Sequence, residues 1–290
     1  MLARPTLFSL IALVTATASP QAPDPLTRPI VTDRTAGWLT PRPPVRVFGN
    51  TYLVGFGGLN VALINTGKGL ILIDGALPQA APAILANVSR LGFRPHDIKY
   101  ILSTEPHFDH AGGIAALARD TGATVIASAR GAERLRTGRL AADDPQRAYD
   151  SRFPAVASVR VIHDGEKLRL GDTVVTARAT PGHTMGSMSW SWPACQAGSC
   201  RAIVFAASLN PVSAEDYRFS APANRSVVMA FARGQAAMAR LPCDILITAH
   251  ADQDGATDRF RDSPGACRAY ARSSREALQA RLRREAASPR

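Results

Sequence analysis

Short apolar runs, each broken by Gly, Pro or Asp, recur along most of the chain and predict buried strands more often than long helices. Residues 45–54 and 60–65 read as strands, with the glycine-rich stretch 55–58 as the turn between them. Residues 69–74 (GLILID) are a short apolar run ending in Asp74, the pattern of a strand covered on both faces, and 98–103 reads as another buried strand. Between them Ile84, Leu85, Val88 and Leu91 recur at helical spacing, which predicts a helix over 78–91. Residues 114–118 and 129–136 read as helices flanking a strand at 124–127, and 137–157, with few apolar anchors and much Asp, Arg and Pro, as a surface loop. A second β-rich half follows: strands at 159–162, 167–170 and 173–179, then a hairpin of 187–192 and 202–206. Residues 226–239 read as a helix, 245–248 as a strand and 266–285 as a charged amphipathic helix. Two β-rich halves, each followed by helices, predict an α/β protein of αββα sandwich type: two packed mixed sheets with helices on the outer faces.

The N-terminal residues depart from this pattern. Arg4 supplies a positive charge, residues 7–14 are apolar, and Ala16-Thr17-Ala18 matches the small-x-small cleavage site of a secretory signal peptide. Residues 1–18 are therefore read as a signal peptide and 19–290 as one exported, periplasmic domain. The apolar run is too short for a membrane anchor, and no cysteine follows it to take a lipid. Residues 19–44, rich in Pro, Thr and Arg, read as an extended arm.

Composition narrows the class. Hydrophobic residues at 46% and charged residues at 20% fit a soluble domain with a core and exclude a disordered tail or a multi-span membrane protein. The net charge of +11 is carried mostly by scattered Arg without an aromatic-basic motif, so no nucleic-acid partner is expected. Export permits disulfides. Four cysteines allow three connectivities. The sequence-local pairs Cys195–Cys200 and Cys243–Cys267 are favoured, because the others tie distant segments. A four-cysteine zinc site is disfavoured by the spacing.

The chemistry concentrates in Glu105-Pro106-His107-Phe108-Asp109-His110-Ala111-Gly112-Gly113, which follows the predicted buried strand 98–103. A tight turn there can splay Glu105, His107, Asp109 and His110 into one cavity, and neutral imidazoles with carboxylates suit zinc. His183, in Thr180-Pro181-Gly182-His183-Thr184, and His250, in Ile247-Thr248-Ala249-His250, also stand at predicted strand ends. His96 and His163 lack such partners and read as ordinary residues.

Together these segments resemble the metallo-β-lactamase superfamily, whose motif is H-x-H-x-D-H followed by two distant histidines. The resemblance covers roughly residues 45–286. Asp74 in Leu72-Ile73-Asp74-Gly75 matches the superfamily's strand-end aspartate. Leu241-Pro242-Cys243-Asp244-Ile245-Leu246, with Cys267 downstream, and Ala207-Ser208-Leu209-Asn210 are similar to the class B β-lactamases of subclass B3. Ser208 stands where glyoxalase-type hydrolases, lactonases and phosphodiesterases of the superfamily carry a bridging Asp and where B1 enzymes carry a Cys ligand. The chain departs from the motif at Glu105, which replaces the first His.

The resemblance implies one zinc site of Glu105, His107 and His183, and a second of Asp109, His110 and His250, with two zinc ions per chain. Two His plus one Glu is a known catalytic zinc set. The alternative is a first site weakened by the exchange. The resemblance further implies hydrolysis of the amide of small-molecule β-lactam antibiotics by a metal-bound hydroxide, conferring antibiotic resistance. Asp109 holds the second zinc and orients the nucleophile, and Ser208 and Asn210 bind the substrate carboxylate. A monomer is expected, with no membrane partner after signal removal. By family analogy the 137–157 loop and the 55–58 turn border the pocket. The alternative is a lactonase or thioester hydrolase of the same fold, against which Ser208, the cysteines and export weigh.

Overall fold

Gly49 turns the chain inside the first apolar run. Its φ of +53° is a left-handed conformation that glycine adopts cheaply. The strand predicted over 45–54 is therefore a hairpin, β1 (Val45–Phe48) with β2 (Thr51–Leu53), paired antiparallel. These features belong to a computed structural model describing residues 22–253 and 259–287. The signal-peptide reading of 1–18 lies outside the described residues.

From that hairpin the chain continues antiparallel through β3 (Ala62–Asn65) and β4 (Leu70–Ile73). It then adds β5 (Ile98–Leu102), β6 (Thr124–Ala127) and β7 (Val159–Val161) in parallel, giving a seven-stranded sheet in sequence order. Parallel neighbours need crossovers. A short helix α1 (Thr35–Trp38) precedes the sheet, and α2 (Ala81–Arg90), α3 (Phe108–Ala111), α4 (Ile114–Thr121) and α5 (Ala129–Thr137) lie in the crossovers.

The second sheet holds β8 (Lys167–Leu170), β9 (Thr173–Ala179), β10 (Met188–Gln196), β11 (Ser199–Ala206), β12 (Ile245–Thr248) and β13 (Arg261–Asp262). Its order is β13-β12-β11-β10-β9-β8, and only the β11–β12 pair is parallel. The crossover joining that pair contains α6 (Arg225–Ala239), and α7 (Ala266–Ala287) follows β13.

Strand alternation explains the layers. In β4, Ile71 and Ile73 face the second sheet with Trp190, Phe205, Ile245 and Ile247. Leu70 and Leu72 face the helix layer with Ile84, Ile114 and Leu117. Both faces of β4 are buried, which is why its sequence is an unbroken apolar run. On the far side, Val204 and Leu246 pack beneath α7 with Tyr270 and the Cys243–Cys267 pair.

Two segments differ from their sequence reading. The arm over residues 22–44 is not simply extended: it carries a 3-10 turn at Pro25–Thr27 and α1, and Ile30 and Trp38 pack on the helix-side core. The 137–157 loop is anchored more firmly than its composition suggests, because Phe153 and Val156 are buried in that core.

Both favoured disulfides are present. Cys195 and Cys200 are directly opposed across the β10–β11 hairpin, which runs further than predicted, and Cys243 bridges to Cys267 in the first turn of α7. The second closes the longer loop, with a sequence separation of 24 against 5. Chain entropy then assigns it about 3 kcal/mol and the hairpin bridge about 2 kcal/mol. The Cys243→Ala/Cys267→Ala variant should unfold at lower urea concentration than Cys195→Ala/Cys200→Ala, and equal midpoints would refute this ranking.

Candidate metal centre

The ends of β4, β5, β9 and β12 deliver the site. Asp74 directly follows β4 in a left-handed conformation, φ +66°. Its buried carboxylate accepts hydrogen bonds from the Thr104 N–H at 2.7 Å and from Thr104 Oγ1 at 2.7 Å, locking the end of β5 to the end of β4. Burial raises the Asp74 pKa to about 7, against the opposing pull of His110 and of the two Thr104 bonds.

The turn expected after β5 is the single helical turn α3. His107 stands at its extended N-cap, and Asp109 and His110 lie inside it. The Gly75 N–H donates to the His110 carbonyl at 2.8 Å. A Cβ on Gly113 would lie 2.2 Å from the Gly75 oxygen, so glycine is what lets this turn press against the end of β4.

The six residues expected to ligate metal are gathered in two groups, Glu105 with His107 and His183, and Asp109 with His110 and His250. Within each group the candidate ligand atoms lie within 4.8 Å of one another. In the first, His107 Nδ1 is 3.1 Å from His183 Nε2. In the second, His110 Nε2 is 3.1 Å from His250 Nε2, and Asp109 Oδ2 is 3.2 Å from His250 Nε2. Glu105 Oε1 sits 3.0 Å from His110 Nε2, between the groups.

The outer partners fix which ring nitrogens face inward. His183 Nδ1 donates to the Asn210 carbonyl at 2.8 Å, leaving Nε2 as an acceptor. His107 Nε2 donates to Asp144 Oδ2 at 3.0 Å, leaving Nδ1 as an acceptor. Two acceptor lone pairs thus face each other at 3.1 Å, an arrangement that needs a cation or a proton between them. Glu105 Oε1 is buried, and the group that faces it is His110 Nε2 at 3.0 Å, so its charge is met by a cation, whether a proton on His110 or a metal. Two imidazoles and a carboxylate in each group are a zinc-type donor set, so these residues fit a metal.

Electrostatics agree. Burial opposes ionisation of Glu105, but His183 and His110 outweigh it and hold the carboxyl well below the usual range. Asp109 is likewise held low by His110 and His250 in spite of burial. Burial disfavours the His110 cation, yet Asp109 and Glu105 raise its pKa to about 10. Burial lowers the pKa of His183, whereas Asp144 overcomes burial at His107 and raises it.

Ser208 is buried, and its Oγ accepts from Gln253 Nε2 at 3.1 Å. Asn210 is half-buried and enters through its backbone, as the His183 partner. This segment is held by α7: the Leu209 N–H donates to Tyr270 at 3.0 Å, and Ser274 Oγ donates to the Leu209 carbonyl at 2.6 Å. The Cys243–Cys267 bridge therefore secures a helix that positions the His183 partner.

Residues not singled out from the sequence also face the cluster. Asp144 and Gln146 come from the 137–157 loop, and Gln146 Nε2 lies 3.3 Å from His183 Nε2. Their only sequence signal was an acidic pair in an Arg-rich loop. Trp38 comes from α1, its ring 5.4 Å from that of His250 and 6.0 Å from that of Phe108. The 55–58 turn adjoins the same wall, Gly58 O accepting from the Ala251 N–H at 3.2 Å.

Residues 54–197 match the model of the metallo-beta-lactamase superfamily. Among solved structures the chain is similar to a B3 metallo-beta-lactamase with an active site glutamic acid, at 63% identity and a TM-score of 0.89, over 91% of this chain and 98% of that one. It is similar to Rm3 metallo-beta-lactamase at 39% identity and a TM-score of 0.82, over 89% of this chain and 100% of that one. A hydroxyacylglutathione hydrolase of Rhodospirillum rubrum matches at 28% identity over 45% of this chain. The match spans 42% of that hydrolase's length, whereas the likeness to the B3 enzymes runs over nearly their whole length. With this fold and these two ligand groups, the chain belongs to the metallo-beta-lactamase superfamily and, within it, to subclass B3.

Proposed function

We propose that this protein is an exported zinc hydrolase of the periplasm that opens the amide bond of β-lactam antibiotics and so confers resistance to them. The observation that carries the reading is the cluster itself, Glu included, in a chain 63% identical to a B3 metallo-beta-lactamase with an active site glutamic acid. Among the described residues no helix is long and apolar enough to cross a membrane. We take the working form to be a monomer.

Glu105, His107 and His183 would hold one zinc, and Asp109, His110 and His250 a second. Bound there, zinc supplies Lewis-acid polarisation of the lactam carbonyl and acidifies water toward neutral pH. The chain's own groups do the rest. Asp109, kept ionised, accepts a hydrogen bond from the attacking water and orients it. Asp144 and the Asn210 carbonyl fix the ring orientations of His107 and His183, the second-layer support that metal ligands commonly need. We take the Asn210 side chain and the Ser208 hydroxyl, the latter buried and bonded to Gln253, to bind the substrate carboxylate. Glu105 adds negative charge to the first ligand set, which strengthens attraction for the cation and weakens its polarising effect.

Nitrocefin hydrolysis should be abolished by a chelator and restored by zinc. Turnover of a glutathione thioester or a lactone, with none of nitrocefin, would overturn the reading. Glu105→Ala should lose about one zinc per chain and most activity, while Glu105→His keeps both metals and substantial turnover. Metal counting by mass spectrometry decides between ligand and bystander.

Asp144→Asn can offer an N–H to His107 Nε2 and so turn the ring's proton to the wrong nitrogen. Metal affinity should fall about tenfold to a hundredfold. Unchanged affinity in competition with a chromophoric chelator would remove Asp144 from this role.

Metal uptake should also release protons. With its pKa raised to about 10, His110 is protonated at pH 7 in metal-free protein and must be neutral to ligate. Affinity should therefore weaken as pH falls, with about one or more protons released per chain at pH 7. Calorimetry in buffers of different ionisation enthalpy measures this, and zero release would contradict it.

A further inference from the structure

A cleft of about 1070 Å³ opens beside the metal cluster and is bordered by Trp38, Arg34, Arg42 and Arg259. Trp38 forms the partition, with His250 against its ring, and Ala251, which follows His250, lines the cleft as well. The wall is fixed by backbone bonds. Gly57 N donates to Thr40 O at 2.8 Å, Gly58 N to Trp38 O at 3.3 Å and Ala251 N to Gly58 O at 3.2 Å.

The arginines are what set this cleft apart. Arg259 is half-buried, and its guanidinium donates to two backbone carbonyls, Gly55 O and Pro43 O, each at 3.3 Å. Arg42, from the arm, lies against the same turn: a Cβ on Gly57 would sit 3.4 Å from its Nε. Neither Arg259, Arg42 nor Arg34 forms an ion pair among the described residues. Asp33 and Asp252 also line the cleft but pair with none of them. Burial, and then the repulsion of Arg42, lowers the Arg259 pKa to about 10, so it remains a cation at neutral pH. Two like charges brought together in a walled cleft, with guanidinium N–H groups to spare, form a receptor for an anion.

We propose that the cleft is an anion-recognition subsite in which Arg42 and Arg259 hold a carboxylate or sulfonate on a substrate arm that passes Trp38. The proposal rests on the β-lactam reading for the identity of the substrate, but the anion affinity itself does not depend on turnover. The receptor is distinct from the Ser208–Asn210 segment, which lies at the end of β11. Its effect is on specificity: β-lactams with a second negative charge on the arm that reaches the cleft bind better than neutral counterparts.

Two measurements on the zinc-loaded full chain test this. The first is quenching of tryptophan fluorescence by 3-nitrobenzenesulfonate and by the neutral 4-nitrobenzyl alcohol. Trp38 borders the cleft, whereas Trp190 and Trp192 are buried. The sulfonate should bind about fivefold more tightly than the alcohol, and Arg42→Met should remove that difference. Arg42 is exposed, so this variant leaves the packing intact. Trp38→Phe should abolish the signal. Equal binding of both probes, or sulfonate binding unchanged in Arg42→Met, overturns the subsite.

The second uses cephalosporin pairs matched in all but the charge of one arm, one pair for each arm. The anionic member of one pair should have a lower KM at similar kcat, and Arg42→Met should raise that KM about fivefold without moving the neutral member. Equal KM effects on both members of each pair count against the subsite. Sulfonate binding without hydrolysis of any cephalosporin would retain the anion receptor and refute the β-lactam reading.

Discussion

A knot of buried carboxylates and imidazoles, unfavourable unless a cation fills it, is the constraint that the scaffold has to serve. Glu105, His107, Asp109, His110 and His183 are all buried, with Asp74 and Asp144 buried behind them. An ionised group in such surroundings costs several kcal/mol unless compensated, and the facing lone pairs of His107 and His183 add to that cost. These side chains are held by the Asp74–Thr104 clamp, by the Gly75–His110 bond, and by α7, which is bridged through Cys267 and bonded to Leu209. The strain concentrates next to the chemistry, where Asp74 and Ala76 hold left-handed conformations that a side chain ordinarily avoids.

Glu105 changes the charge of this knot without changing its architecture. A neutral imidazole in its place would leave the first ligand set uncharged, apart from Asp144 behind His107. With Glu105 there is a carboxylate in the set and another one residue removed. Both push in one direction, holding a cation more strongly while leaving it less able to polarise water and carbonyl. Ser187 Oγ, 3.5 Å from Glu105 Oε2, is a weak partner at best, so the carboxylate keeps an oxygen for the metal. Pro106 holds the backbone of Glu105 toward extended conformations, which fits the path from β5 into α3.

Most of the sheet framework was legible because strands covered on both faces must be written as apolar runs. The runs at 69–74 and 245–248 became β4 and β12 nearly residue for residue, and 98–103, interrupted by the exposed Lys99, became β5. The candidate ligands were legible for a chemical reason: Glu, His, Asp and His crowded after such a strand form a donor set that suits a metal ion. Periodicity failed where tertiary contacts replace it. Val45 to Leu53 alternates like a single strand, and only the left-handed Gly49 shows the reversal. Trp38 was hidden in a Pro-rich arm, and Asp144 in a loop whose polar composition gave no sign that Phe153 and Val156 bury its far end. Both contact the cluster through space, over sequence separations that no local pattern records.

That division has a functional side. Every candidate metal ligand hangs on a strand end or on the one turn braced against it. The walls come instead from irregular segments, namely the arm with Trp38, the 55–58 turn and the 137–157 loop. Irregular backbone can change side chains with little cost to the sheets, so substrate preference can vary while the core keeps the ligand geometry. The walls are not wholly independent of the metal, however. Asp144 and Gln146 reach directly to His107 and His183 from the same loop that shapes the pocket. A change of loop conformation therefore alters the support of the first candidate ligand group, while the second group, whose His250 follows β12 and rests against Trp38, is coupled to the arm instead.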